Sequence, residues 1–145
     1  MRCLRSHDSS ICSLCQAPSY PVIWEDNAFR IILINDQSYP GYCRVESIEH
    51  FKEMTDMDPS LRNRCMSIVF EVERILRFFL RPDKINLSSL GNITPHCHWH
   101  IIPRYKNDNH FPLSIWSNKK RRGSRELKKG DQDKLIQLIR IALDQ

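Results

Sequence analysis

No apolar run in these 145 residues approaches the roughly 18 needed to cross a bilayer as a helix. The longest, Ile31-Ile32-Leu33-Ile34, is four residues. The opening Met-Arg-Cys-Leu-Arg-Ser-His-Asp has no apolar h-region, so no secretory leader is expected. Internal repeats are absent, which excludes solenoids and propellers. Low complexity is confined to one basic stretch, and broad surface charge is missing too. Between Lys119 and Lys129 seven basic residues face one acid, Glu126, a local +6 in a chain of net +5, so the remainder is near neutral. That stretch has no interleaved aromatics, so nucleic acid is not an expected partner, and neither is a membrane. It reads either as a solvated, mobile loop or as an arm attracting phosphate-rich ligands or RNA, the latter on weak evidence. Six cysteines without a leader imply free thiols or a metal site in a reducing, cytoplasmic setting. At 41% hydrophobic and 27% charged, the chain has the make-up of one soluble globular domain that needs no disulfide staples.

The patterning predicts an α+β fold. Residues 1–19 read as irregular. Val22-Ile23-Trp24 and Phe29 to Ile34 read as a hairpin turning at Asp26-Asn27. Pro40-Gly41 marks a turn before a short strand from Tyr42 to Glu46. A short helix is expected within Ser47 to Met57. Asp58 then caps a long helix with Pro59 in its first turn. Leu61, Cys65, Ile68, Val69, Val72, Ile75, Leu76 and Phe79 form its apolar stripe, and Arg81-Pro82 ends it. Ile85-Asn86-Leu87 begins a fourth strand and Gly91-Asn92 a turn. A fifth strand should run from His96 to Ile102, stopped by Pro103, and a last amphipathic helix from Asp133 to Leu143.

The feature richest in chemistry is His96-Cys97-His98-Trp99-His100. Alternation is the period of a strand, so all three imidazoles should leave one face, about 6.6 to 6.8 Å apart. Cys97, Trp99 and Ile101 should face a core. Such a face suits two kinds of chemistry, metal ligation and nucleophilic attack by a neutral imidazole, and spacing alone leaves both open.

The run Pro95-His96-Cys97-His98-Trp99-His100-Ile101-Ile102-Pro103-Arg104 resembles the signature of the histidine triad (HIT) superfamily. The resemblance extends upstream through Asn35 to Val45 with Pro40-Gly41, to His50, and to Asn86 through Asn92. More particularly, Asp83 to Leu87, Leu90-Gly91-Asn92, His110-Phe111-Pro112 and Trp116 are similar to runs in small bacterial diadenosine-tetraphosphate-hydrolase-like HIT proteins. It implies a five-stranded antiparallel sheet with one long packed helix, a short second helix and a C-terminal helix. This single domain would span 1–145, with its core at about 12–105 and a basic loop and helix at 106–145.

The resemblance also implies a mechanism. His98 would be the nucleophile at the α-phosphorus of a purine nucleotide derivative, forming a covalent nucleotidyl-histidine. His100 would meet the leaving-group oxygen, and His96 would complete the triad. Asn35 or Asp36 would bind ribose, Asn86 and Asn92 would supply polar contacts, and Phe29 would line the base slot. Arg104 would contact phosphate or a dimer partner. A homodimer is expected, with Trp116 crossing to the partner's site. The alternatives are a metal-dependent hydrolase using the triad as ligands and a non-catalytic nucleotide-binding protein.

Cys12-Ser13-Leu14-Cys15 is a C-x2-C pair, half of a common zinc site. Several HIT branches close such a site with two histidines, here His50 and His96. The resemblance thus implies a structural zinc, whereas the chemistry itself needs no cofactor. Cys3, Cys43 and Cys65 have no partner pattern and read as ordinary thiols.

Overall fold

The computed structural model describes residues 11–123 and 125–145. Cys3 and the first part of the stretch expected to be irregular lie outside them. The elements run β1 (Val22–Glu25), β2 (Phe29–Leu33), β3 (Cys43–Ser47), α1 (Pro59–Leu80), β4 (Lys84–Ser88), β5 (His98–Arg104) and α2 (Lys129–Leu143). The strands form one antiparallel sheet in the order β1-β2-β3-β5-β4. This is the expected α+β architecture. Among the described residues no helix is long and apolar enough to cross a membrane.

The sheet has two chemically different faces because side chains alternate. Phe29, Ile31 and Leu33 of β2, Cys43 and Val45 of β3, Ile85 of β4 and Ile101 of β5 form the core face. The α1 stripe packs on it through Cys65, Ile68, Val69, Val72, Ile75, Leu76 and Leu80. Burying each aliphatic side chain of this kind stabilises by about 1.5 to 3 kcal/mol. Asp58 caps α1 by accepting the Leu61 amide at 2.9 Å, with Pro59 in the first turn. Gly41 sits at φ 84° where a Cβ would strike the Leu80 side chain, so the turn before β3 needs glycine. At the other end of the sheet, α2 adds Leu135 and Ile139 to the core. Arg140 Nε donates to the Ile23 carbonyl at 2.7 Å and Trp24 Nε1 donates to Asp144 at 2.8 Å, tying α2 to β1.

Four expectations need correction. The short helix within Ser47 to Met57 is only a 3-10 turn at Met54–Asp56. Ser47 instead extends β3, opposite Phe29, and donates its amide to the Cys97 carbonyl. The fifth strand begins at His98, not His96, because the Cys97 amide goes to the Phe51 carbonyl at 2.7 Å and the His96 amide to Thr94. Pro103 does not stop β5. Pairing with β3 ends at Ile101, so the last residues of β5 are bonded on the β4 side alone, an edge where proline is tolerated. Finally, α2 starts at Lys129 rather than Asp133.

Arg104, read from the sequence as a phosphate or dimer contact, is 2% exposed and spends its donors inside the chain. Its guanidinium forks onto Asp108 at 2.7 and 3.0 Å and also donates to Asn86 Oδ1 and the Leu113 carbonyl, each at 2.7 Å. The Tyr39 and Phe111 rings lie 5.8 Å from it. This pair folds the segment after β5 back over the sheet. Burial opposes ionisation of Asp108, but the Arg104 fork and the amides of His110, Phe111 and Tyr105 outweigh it and hold the carboxyl at about 2. Breaking the pair strands a buried guanidinium, so Asp108→Ala should destabilise by about 3 to 5 kcal/mol at pH 7 in urea unfolding. The unfolded carboxyl titrates near ~3.9, so the pair's contribution is complete above that pH. As pH falls from about 4 towards 2 the contribution is lost, and wild type and variant should converge.

Candidate functional site

The second face carries the titratable groups. His98 stands opposite Glu46, and His100 opposite Arg44, in the β3–β5 ladder. Arg30 stands opposite Glu46 in the β2–β3 ladder. His98 and His100 therefore share one face, as their spacing predicts, and their rings meet edge-on at 4.9 Å.

Each ring is fixed by a different acceptor or donor. A carbonyl oxygen only accepts, so the ring nitrogen facing it carries the proton. His98 Nδ1 donates to the His96 carbonyl at 2.5 Å. Its Nε2 is left with the lone pair. Burial, assisted by Arg44, holds this imidazole below its ordinary range, so it is neutral at physiological pH. His100 is pushed down to about 4 by burial, by His98 and by Arg44. Its Nδ1 pairs with the Tyr42 hydroxyl at 2.5 Å. Burial pushes that phenol up to about 12, so it keeps its proton. When the phenol donates into Nδ1, His100 Nε2–H becomes a donor.

His96 departs from the alternation. Lying before the strand, it is 1% exposed and turns its ring away from the other two. Its Nε2 donates to the Ser47 carbonyl at 2.7 Å. Its Nδ1 therefore holds a lone pair, and this faces Cys12 Sγ and Cys15 Sγ, both at 3.5 Å, and His50 Nδ1 at 3.2 Å. Cys15 Sγ lies 3.2 Å from His50 Nδ1. All four donor atoms lie within 4.8 Å of one another. Tetrahedral zinc, with bonds of about 2.0 to 2.3 Å, sets its ligand atoms about 3.4 to 3.8 Å apart. The cluster is close to that spacing. The carbonyl bond on the far nitrogen of His96 is the arrangement that orients a ligating imidazole. Among the described residues this is the metal-capable group, and neither His98 nor His100 belongs to it. The reading in which all three triad rings hold one metal loses its geometry, because His96 faces the other way.

The remaining predicted residues fall into two sets. Asp36, whose Oδ1 accepts the Ser38 amide at 2.8 Å, borders a cavity of about 430 Å³ together with Tyr42 and Trp116. Exposed Asn35 precedes it, and Asn92 is exposed in the approach to β5. Asn86 lies on the triad face, opposite Ile102, with its oxygen engaged by Arg104. Phe29 is a correction. It is 0% exposed in the core against α1, on the opposite face from His98, and cannot line a base slot beside that ring. Trp116 borders the same cavity as Asp36 and Tyr42. Its ring lies 5.0 Å from His100 of the same molecule, half exposed at the cavity.

The first part of the basic stretch is exposed but tied to the segment after β5. Lys120 and Arg121 donate their amides to the Asn109 carbonyl, Gly123 donates to Asn109 Oδ1 at 2.7 Å, and the Arg121 guanidinium donates to the Asp108 and Phe111 carbonyls.

Sequence reasoning missed Arg30, Arg44 and Glu46. Glu46 has a fully buried side chain that takes Arg30 Nε at 2.8 Å and Arg44 Nε at 2.5 Å. The available signal was the pattern Arg44-Val45-Glu46, which puts opposite charges on one strand face, where cross-strand partners matter most.

Comparison with known proteins agrees with this fold. The HIT domain family matches residues 17–107. A curated relative, an uncharacterized HIT-like protein of Borreliella burgdorferi, is 27% identical over 106 residues, covering 64% of this chain and 71% of that protein. A crystal structure of a histidine triad protein from Bradyrhizobium japonicum shares the fold at TM-score 0.70 and 24% identity, covering 84% of this chain and 89% of that one. A zinc-bound histidine triad family protein from Mycobacterium smegmatis superposes at TM-score 0.60 and 23% identity, covering 94% and 95%.

Removing the buried carboxylate that two partly buried guanidinium groups share should be severe. Glu46→Gln should lower unfolding stability by about 3 to 5 kcal/mol, measured by urea titration at pH 7.

Proposed function

The chain belongs to the HIT domain family, and we propose that it cleaves a purine nucleotide derivative at the α-phosphate through a nucleotidyl-histidine on His98. The observation that carries this reading is the hydrogen bond from His98 Nδ1 to the His96 carbonyl. It leaves the lone pair on Nε2, in a ring that is neutral at physiological pH. In the first step Nε2 attacks phosphorus, a P–N bond forms, and the bond to the leaving group breaks. His100 Nε2–H, supported by Tyr42, hydrogen-bonds the departing atom as charge builds on it. In the second step water attacks phosphorus and returns His98 to its starting form. Asn35 or Asp36 would hold the ribose hydroxyls, with Asn92 and Asn86 contributing polar contacts. The substrate class favoured by the sequence resemblance is a dinucleoside polyphosphate or another nucleotide conjugate. A homodimer is part of the proposal, as is a cytoplasmic setting, which fits the free thiols of Cys43, Cys65 and Cys97.

Cys12, Cys15, His50 and His96 would hold a structural zinc. With four protein donors such an ion would have no open position, and its contribution would be to pin the segment around Cys12 to the sheet. Every chemical step in the proposal belongs to His98 and His100.

Two measurements test this. Incubation with an α-labelled dinucleoside polyphosphate and an alkaline quench should trap an acid-labile, alkali-stable label on wild type. His98→Ala should lose the label and about 10³-fold or more of turnover; full turnover in that variant would falsify the nucleophile. Separately, metal analysis of purified protein should find one zinc per chain. Cys15→Ser should lose it and unfold at a lower temperature, while a metal-saturated sample should show no further activation by added zinc.

A further inference from the structure

Burying charge in a sheet is costly unless every charge is answered. One arginine suffices to answer Glu46, yet two are present. Arg30 and Arg44 each bond it through Nε, at 2.8 and 2.5 Å, which leaves the trio with a net positive charge directly across the ladder from His98 and His100. The two arginines then differ. Arg30 donates a terminal nitrogen to the Leu14 carbonyl at 2.6 Å, tying down the N-terminal segment. Arg44 has no such partner for its terminal nitrogens among the described residues, and its side chain stays 21% exposed. It lines a cleft of about 210 Å³ with His98, Tyr20 and Thr94. A planar donor fork with surplus positive charge, anchored beside a nucleophilic ring, is the complement of a phosphate oxygen.

We propose that Arg44 is the oxyanion-binding residue of the His98 cleft, gripping the non-bridging oxygens of the phosphate that His98 attacks, and that Glu46 is a positioning residue holding the guanidinium by Nε so that both terminal nitrogens remain for the ligand. The inference rests on the nucleotide reading above for the identity of the ligand, but the phosphate site itself is separable from it. Charge-assisted bonds of this kind stabilise a pentavalent transition state more than the ground state, because negative charge on the equatorial oxygens grows as the nucleophile arrives.

The test compares wild type, Arg44→Met and Arg44→Lys for binding of inorganic phosphate, adenosine monophosphate and adenosine, followed by calorimetry and by histidine ring NMR signals. Arg44→Met should weaken both phosphate-bearing ligands by about 10- to 100-fold and leave adenosine within about 2-fold, with Arg44→Lys intermediate because it keeps the charge and loses the fork. Equal weakening of adenosine and its monophosphate, or unchanged affinity for inorganic phosphate, overturns the assignment. If Arg44→Met does not fold, Arg44→Lys decides on the same ratio. If inorganic phosphate binding depends on Arg44 while neither nucleoside ligand binds any variant, the phosphate site stands and the nucleotide reading falls. Absence of phosphate binding to wild type overturns the site.

Discussion

Much of the site hangs on a single peptide unit, that of His96. Its carbonyl takes the Nδ1 proton of His98 at 2.5 Å and so decides which nitrogen of that ring keeps the lone pair. Its side chain donates in the opposite direction, from Nε2 to the Ser47 carbonyl, and so decides which nitrogen faces Cys12, Cys15 and His50. Both tautomers follow from one local constraint, because a carbonyl can only accept. The residue lies just before β5, where the Cys97 amide is drawn to Phe51 instead of a strand partner. The break in the ladder frees the His96 carbonyl for a side chain and lets the His96 ring point elsewhere than its two neighbours.

Around that unit the protein arranges neutral imidazoles and fixed charges on the same sheet face. His98 and His100 are kept neutral mainly by burial. The opposite charges of Arg30, Glu46 and Arg44 answer one another at hydrogen-bonding distance. In the proposed reaction the neutral imidazole would supply electrons to phosphorus and the fixed positive charge beside it would accept the charge that accumulates. The Arg104–Asp108 fork serves a different end. It is internal, and its geometry folds the segment after β5 back so that Trp116 reaches His100.

The main helix was readable because its apolar stripe, N-cap and terminating proline all agree, and the structure keeps those boundaries. The triad face was readable for His98 and His100, since period-2 alternation is a strong strand signal. Local cues failed where a distant group competed for the backbone. Phe51 took the amide that would have made Cys97 a strand residue, and Cys97 claimed Ser47 for β3. Phe29 failed as a base-slot residue for a simpler reason: the alternation that puts Arg30 beside Glu46 puts Phe29 on the other face. Arg104 could not be assigned from its position after the triad, because its partner Asp108 becomes a partner only when the chain turns back.

What the amino-acid order determines alone is the set of local periodicities: one long amphipathic helix, alternating strands, a pair of cysteines three residues apart, and imidazoles at every second position. Those depend on neighbours along the chain, and geometry within a few residues is enough to fix them. What only the tertiary structure decides is which nitrogen each imidazole leaves available, how closely the expected Cys12, Cys15, His50 and His96 set comes together, and that Arg44 is left with donors to spare. Several of these turn on hydrogen-bond partners tens of residues apart, Tyr42 for His100 and Ser47 for His96, and such partners meet only when the sheet closes.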